Sequence, residues 1–420
     1  MDFFAQPAFF ALLAVAVVPA AVLGFTGRRI KRYGLVASVV FLALLFSKDL
    51  AAGACLLLFV VLSTAVTLGY ARHRRRLRAR AASTAGTSGA SGASGTSGAS
   101  VPVAPSRAAF FLGIAVLIAP LAIYKLTAAA GTGLLGFLGV SYLTFKAVQV
   151  FLEVHDDIIT EFSLLDYLGF LLFFAPFTSG PIDRSRRFAA DAERRYTRDE
   201  YQALLVRGIL LLLAGVVYKA VIAAVVFDFY SWMPTRSTTL LLDMAVALKN
   251  AYSYGIYLFF DFAGYSLMAM GASYCFGIRT PRNFRAPFAS IDIKDFWNRW
   301  HMTLSFWLRD FVFMRFTRLA VKRRWFSSRL TTACCGYVIN MGLMGVWHGI
   351  TADYLAYGLF HGLLLAATEW YQKKSRFFRR NKDKRWYKAA SWALTVNLVF
   401  FGFALFSGQV LSTLAALALQ

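Results

Sequence analysis

The chain has 420 residues, 58% hydrophobic and 16% charged, with a formal net charge of +24 and a mean hydropathy of +0.57. Soluble domains stay near about 45–50% apolar even with glycine counted, so this composition argues against a soluble enzyme. The absence of period-two alternation in the apolar runs argues against a membrane β-barrel.

Long apolar runs recur in chain order at Pro7–Phe25, Gly34–Ser47, Leu50–Tyr70, Ala108–Tyr124, Gly133–Phe151, Leu164–Thr178, Leu204–Phe227, Thr239–Gly277, Thr331–Val346, Tyr354–Trp370 and Ala389–Phe406. A helix needs roughly 20 apolar residues to cross a bilayer. Some runs reach that and others fall short, which predicts an all-α polytopic membrane protein of about eleven hydrophobic helices. Asp2 precedes the first run and its basic residues, Arg28, Arg29, Lys31 and Arg32, follow it. A secretory signal has the opposite order, so the run is expected to be a retained helix with its N-terminus outside.

Basic residues cluster at Arg28–Arg32, Arg72–Arg80, Arg184–Arg198, Arg279–Arg329 and Lys373–Lys388. Between apolar helices such clusters mark cytoplasmic loops and suit anionic lipid or an acidic protein partner; no nucleic-acid partner is expected. Residues 82–100, built of Ser, Gly, Ala and Thr only, read as a flexible cytoplasmic tether. The expected organisation is N-terminal membrane helices over 1–71, a basic and Ser/Gly-rich linker over 72–107, and a membrane core over 108–420. Simple alternation fails twice. Leu164–Thr178 should carry the chain outward, yet Arg184–Arg198 is basic, and Thr239–Gly277 is long enough for two crossings, which would put Arg279–Arg329 outside. Re-entrant segments, tolerated only inside protein or beside a water-filled cavity, would remove both conflicts.

Ile293–Phe316 is about one-third aromatic, interleaved with Asp295, Arg299, His301, Arg309 and Asp310. Asp295 and Arg299 are spaced to pair on a helix, whereas the adjacent Arg309 and Asp310 are not expected to face each other. The stretch reads either as an interfacial helix with a Trp belt or as a docking and entry surface. His348 sits in the apolar run that begins near Thr331, where an ionisable group marks function or ties two helices together. Gly345 and Gly349 flank it, suggesting close approach of a substrate to the backbone. His361 reads as a hydrogen-bonding core residue. His155 with Glu153, Asp156, Asp157 and Glu161 fits no metal-ligand spacing and reads as a solvated acidic loop. The four cysteines read as small core residues, and no Walker loop, GxSxG elbow or HExxH is present.

The pairing of DFWNRWHMTLSFWLRD with GVWHG, together with GVSYLTFKAVQ (139–149) and FFAPFTSGPIDR (173–184), resembles the membrane-bound O-acyltransferase superfamily. LFFDFAGYS (258–266), GIRTPRNFRAPF (277–288) and RDFVFMRF (309–316) are similar to its teichoic-acid D-alanylating branch. Ala175 stands where that pattern usually has a proline, and the Ser/Gly-rich linker departs from it. The resemblance implies a ring of helices with re-entrant segments around a central funnel or tunnel, the active-site region spanning 258–370.

The resemblance further implies transfer of D-alanine from a phosphopantetheine thioester to a hydroxyl. The thioester is carried by a small acidic carrier protein on the cytoplasmic face of the plasma membrane. The acceptor is teichoic acid or a membrane relay partner, and no cofactor is permanently bound. The family's characteristic histidine maps to His348, a general base by its chemistry, and its second motif histidine to His301. Asn298, Arg299 and Trp300 are expected at the tunnel mouth, and Phe311, Val312, Phe313 and Arg315 at the carrier-docking surface. The alternatives are another acyl transfer, such as polysaccharide O-acetylation, or a transporter.

Overall fold

The computed structural model describes residues 3–87, 106–232 and 240–418. Among these residues every regular element is helical, and the chain forms two compact units, residues 1–178 with 184–195, and residues 179–183 with 196–420. Among the described residues seven helices are long and apolar enough to cross a membrane, so the chain is a multi-pass membrane protein.

The first unit contains α1 (Pro7–Phe25), α2 (Lys31–Phe46), α3 (Leu50–Thr87), α4 (Arg107–Ala129), α5 (Val140–His155), α6 (Leu164–Leu172) and α7 (Ser185–Glu193). Helix α3 continues through Arg72–Arg80 into the start of the Ser/Gly/Ala/Thr stretch; the rest of that stretch lies outside the described residues. Helix α6 is too short to cross, and Phe170 and Phe173 pack on Phe188 of α7 at 5.6 and 5.3 Å between ring centroids. The chain therefore turns back after α6, which removes the first alternation conflict. Lys31 pairs with Glu193 at 2.5 Å and with Asp166, and the Lys31 ammonium holds the Glu193 carboxyl below its usual range. Arg74 and Arg78 pair with Asp157. Helix ends bearing positive charge thus gather at one end of this unit.

Of the acidic group at the end of α5, Asp156, Asp157 and Glu161 are exposed as expected, whereas Glu153, inside the helix, is not. Glu153 is buried and accepts hydrogen bonds from Ser185 and Gln149, Asp157 serves the arginines of α3, and His155 Nδ1 lies 2.7 Å from Tyr70 Oη. Lys146 is also buried, donating to the Phe170 carbonyl at 3.0 Å; that carbonyl belongs to the last turn of α6, where intrahelical donors run out.

The second unit contains α8 (Arg198–Val216), a π-helical turn (Val217–Ala223), α9 (Ala224–Ser231), α10 (Leu240–Cys275), α11 (Ile293–Trp297), α12 (Met302–Leu308), a π-helical turn (Arg309–Phe313), α13 (Met314–Lys322), α14 (Arg329–His348), α15 (Ala352–Lys374), α16 (Arg376–Asn381), α17 (Arg385–Phe406) and α18 (Gln409–Ala418). The run expected to cross twice is one continuous helix, α10, because no proline interrupts it. One crossing returns the chain to the side from which α8 started, so Arg279–Arg329 needs no exceptional topology.

Helices α8 and α10 are antiparallel and meet through glycines. A methyl group added at Gly271 would lie 2.5 Å from the Gly208 carbonyl oxygen, and one at Gly215 would lie 2.7 Å from that of Gly264. Helix association in lipid depends on such close backbone approach. The same device joins α14 to α15, where a methyl at Gly358 would meet the Met341 carbonyl oxygen at 2.6 Å.

Between α10 and α12 the chain is mostly irregular, yet it runs beside membrane-spanning helices. Phe284 packs on Phe259 and Phe262 of α10 at 5.5 and 5.1 Å, and Phe288 stacks on Phe400 of α17 at 5.2 Å. Protein groups satisfy several of its polar atoms. Arg285 N donates to Arg299 O at 3.0 Å, and Met302 N to Asn283 O at 2.8 Å. The Asn283 side chain donates to Ser266 Oγ at 3.0 Å and accepts from Thr303 Oγ1 at 2.5 Å, while Thr303 accepts from Ile182 N at 3.0 Å.

Replacing Gly271 with leucine should force α8 from α10, at a cost of about 1–3 kcal/mol or more. Loss of the monodisperse peak in fluorescence-detected size exclusion would report it, and an unchanged peak and melting temperature would contradict the packing. Thr303→Val leaves Ile182 N and Asn283 Oδ1 without their partner, about 1–3 kcal/mol for each group; the expected result is a clearly lower apparent Tm, with Thr303→Ser close to the parent.

Candidate active site

His348 and His301 come from opposite kinds of backbone. His348 is the last residue of α14, a regular helix stopped by the extended Gly349 (φ −178°, ψ 168°). His301 caps α12 in the left-handed region, φ 42° and ψ 48°. A non-glycine residue rarely adopts that conformation, and it persists where surrounding structure fixes it; here the Asn283–Thr303 bonds on either side do so.

The two rings, far apart in sequence, converge on Trp347. His301 lies 6.4 Å from the Trp347 ring and His348 lies 4.5 Å from it. His301 is 3% exposed and packs edge-on against Phe262 at 4.7 Å. Its Nδ1 has no hydrogen-bond partner among the described residues. His348 is half-buried, with Tyr354, Tyr357 and Phe406 around it at 6.0, 6.2 and 5.0 Å.

His348 stands at the opposite end of its unit from the basic residues. Arg329 opens α14, Lys373 and Lys374 close α15, and Arg385 opens α17, whereas His348, Thr351 and Phe406 lie at the other ends of these helices. Nineteen rises of 1.5 Å separate the ends of α14, roughly 28 Å. The imidazole therefore lies about one helix length from the basic end of α14.

Between the two ends is a cavity of about 190 Å³, lined by Asn298, Arg309 and Phe313 from the aromatic stretch, by Lys294, and by Tyr337, Asn340, Met341 and Met344 of α14. Asn340, Met344 and His348 follow at four-residue steps along one side of α14, so that side leads from the cavity toward the imidazole. Asn340 is buried and its Oδ1 has no partner among the described residues. Sequence reading passed over Asn340, although a polar residue eight positions before His348 in an apolar helix was a usable signal. Lys294 was missed as well; its Nζ pairs with Glu369 Oε2 at 2.6 Å and reaches Gln372 Oε1 at 3.1 Å.

The other expected site residues divide. Asn298 is exposed, and Arg299 pairs with Asp295 at 2.7 Å as its spacing suggested. Trp300 is buried among Phe284, Phe296 and Phe403, at 5.0, 5.6 and 4.8 Å. Phe311 packs on Trp307 at 5.1 Å, and Phe313 stacks on Tyr337 at 4.9 Å; Val312 and Arg315 are half-buried.

Two expectations are corrected. Arg309 Nε does reach Asp310 Oδ1, at 2.9 Å, because the two side chains bend together at the exposed start of the π-helical turn. Gly345 and Gly349 serve packing: a methyl at Gly345 would meet the Tyr354 carbonyl oxygen at 2.4 Å, and one at Gly349 would meet the Tyr354 ring at 2.3 Å. His361 is a core residue whose Nδ1 accepts from Trp297 Nε1 at 3.4 Å.

Residues 44–412 match the profile of the membrane-bound O-acyltransferase family. The chain is 36% identical over 411 residues to the teichoic acid D-alanyltransferase of Bacillus subtilis (strain 168), covering 96% of each protein. It is 35% identical to the teichoic acid D-alanyltransferase of Streptococcus thermophilus, covering 96% of this chain and 94% of the relative. A probable alginate O-acetylase of Pseudomonas fluorescens is 30% identical over 277 residues, 65% of this chain and 51% of the relative. With this match along most of its length, on an all-helical fold with seven candidate spans, the chain belongs to the membrane-bound O-acyltransferase family and is an O-acyltransferase.

Proposed function

We propose that this enzyme transfers D-alanine from a phosphopantetheine thioester on an acidic carrier protein to a hydroxyl acceptor, for D-alanylation of teichoic acid. The observation that carries the reading is similarity to D-alanyltransferases over nearly the full length of both proteins, where the O-acetylase covers about two-thirds of this chain. The enzyme sits in the plasma membrane with its N-terminus outside, and the basic helix ends face the cytoplasm, in keeping with the distribution of positive charge.

The acceptor oxygen attacks the thioester carbonyl carbon. A C–O bond forms, the C–S bond breaks, and the hydroxyl proton passes through His348 to the departing sulfur. A neutral imidazole suits both halves of that exchange. The thioester is already activated, so the step needs no protein nucleophile. His301, across Trp347 from His348, orients the incoming thioester. The pantetheine arm enters from the basic side through the cavity at Asn298, Arg309 and Asn340, and the acceptor, teichoic acid or a membrane relay hydroxyl, meets it at the His348 end. No cofactor is resident; the phosphopantetheine belongs to the donor.

The carrier docks on the segment Arg279–Arg329, which has twelve Lys and Arg against three Asp, with Phe311, Val312 and Arg315 at the contact. Complementary charge steers such an encounter.

In membranes supplied with carrier bearing radiolabelled D-alanine, His348→Ala should lower label transfer by about 10²–10⁴-fold while carrier binding persists. Transfer at the parent rate would refute the role of His348, and wild-type transfer from an acetyl donor but not from the D-alanyl carrier would favour O-acetylation. Carrier affinity should fall by about tenfold or more as salt rises from about 50 to 500 mM, since screening acts on exposed charge; a salt-independent affinity in a binding titration would contradict the docking face.

A further inference from the structure

A groove of about 490 Å³ lies between α15 and α17, closed on one side by Ile291–Ile293. It plays no part in the reaction above. Its walls change character along their length. Toward the middle of the helices they are apolar, formed by Leu364, Ala367, Leu394 and Leu398; at the basic end they carry Tyr371, Tyr387, Ser391, Lys382 and Lys388. Leu394 is 62% exposed, so the apolar part opens sideways to the hydrocarbon around α17, one of the seven candidate spans.

The basic end lies at the membrane–water boundary. Trp370, Phe377 and Trp386 are exposed around it, in the manner of interfacial aromatic anchors. From Lys373 to Lys388 the chain has nine Lys and Arg and a single acid, Asp383, which sets the sign of the local field. Neither Lys382 nor Lys388 forms an ion pair among the described residues. The other acid at the groove, Asp292, is engaged: its Oδ1 caps α11 through Asp295 N at 2.8 Å, and its Oδ2 accepts from Gln372 Nε2 at 2.9 Å. Tyr387 Oη donates to Tyr371 Oη at 3.3 Å, which leaves the Tyr371 hydroxyl proton available at the junction of the apolar and charged parts.

We propose that this groove holds one anionic diacyl phospholipid. Its phosphate lies between Lys382 and Lys388, its ester region meets Tyr371, and one acyl chain follows Leu364, Leu394 and Leu398. Basic pockets between membrane helices suit such headgroups, and the apolar channel accounts for a lipid rather than a free phosphate. The site adjoins the catalytic unit: Gln372, which binds Asp292 at the groove, also meets Lys294 of the cavity wall. A bound lipid would brace α11 from behind.

The test uses the full-length protein in neutral detergent, with phosphatidylglycerol, phosphatidylcholine or glycerol phosphate added separately, read by native mass spectrometry and by apparent Tm. The wild type should retain phosphatidylglycerol at concentrations about tenfold or more below those needed for phosphatidylcholine, as two cations near an anionic headgroup imply. Lys382→Glu with Lys388→Glu should abolish that preference, and Leu394→Trp, which fills the apolar channel, should reduce retention of both lipids. If the charge-reversed protein does not elute as a single peak, Lys382→Gln with Lys388→Gln answers the same question. Equal retention of the two lipids by wild type, an unchanged preference in the lysine variants, or equal stabilisation by glycerol phosphate would each overturn the proposal.

Discussion

Backbone amides and carbonyls cannot go unpaired in hydrocarbon, and the second unit is arranged around that constraint. Most of its length meets it with helices. The segment between α10 and α12 cannot, because it turns and shifts direction beside α10 and α17. There the bonds of Asn283, Thr303, Ser266 and Ile182 replace a helical ladder, and Phe284, Phe288 and Trp300 fill the surrounding space. His301 takes its left-handed backbone from this arrangement, so the position of the first imidazole follows from the way an irregular segment is made compatible with its depth.

The second imidazole follows from a simpler rule. Glycines let α14 and α15 approach so closely that their shared turn is short, and His348 is the residue where α14 ends. Trp347 next to it then meets His301. A helix end and a strained cap are brought to one indole, with a cavity on the basic side and an aromatic enclosure of Tyr354, Tyr357 and Phe406 on the other. Under the proposed function, donor and acceptor would reach one imidazole by separate routes, as a transfer between compartments requires.

Much of this was legible in the sequence, and the failures have physical causes. Runs such as Pro7–Phe25 and Ala389–Phe406 announced helices because apolar residues persisted for a full span. The number of crossings was less readable, since composition does not say where a helix leaves the bilayer: Thr239–Gly277 looked long enough for two and is one, and Leu164–Thr178 looked like one and is none. Buried polar residues were the hardest. Glu153 read as part of a solvated loop and Lys146 drew no notice, because their partners, Ser185 and the Phe170 carbonyl, are remote in sequence. Asn283 and Thr303 were unremarked for the same reason. His348, by contrast, stood out because an apolar run offers few other titratable groups, and the ordered motifs around it carried the family resemblance.

The central claim is that the basic helix ends and the His348 end of the second unit face opposite sides of the membrane. Single cysteines at Thr351 and Ser375, introduced after replacing Cys55, Cys275, Cys334 and Cys335, test it in intact cells with a membrane-impermeant maleimide. Labelling of Thr351→Cys from outside, with Ser375→Cys labelled only after permeabilisation, is the predicted result. Labelling of both positions from the same side would contradict the account.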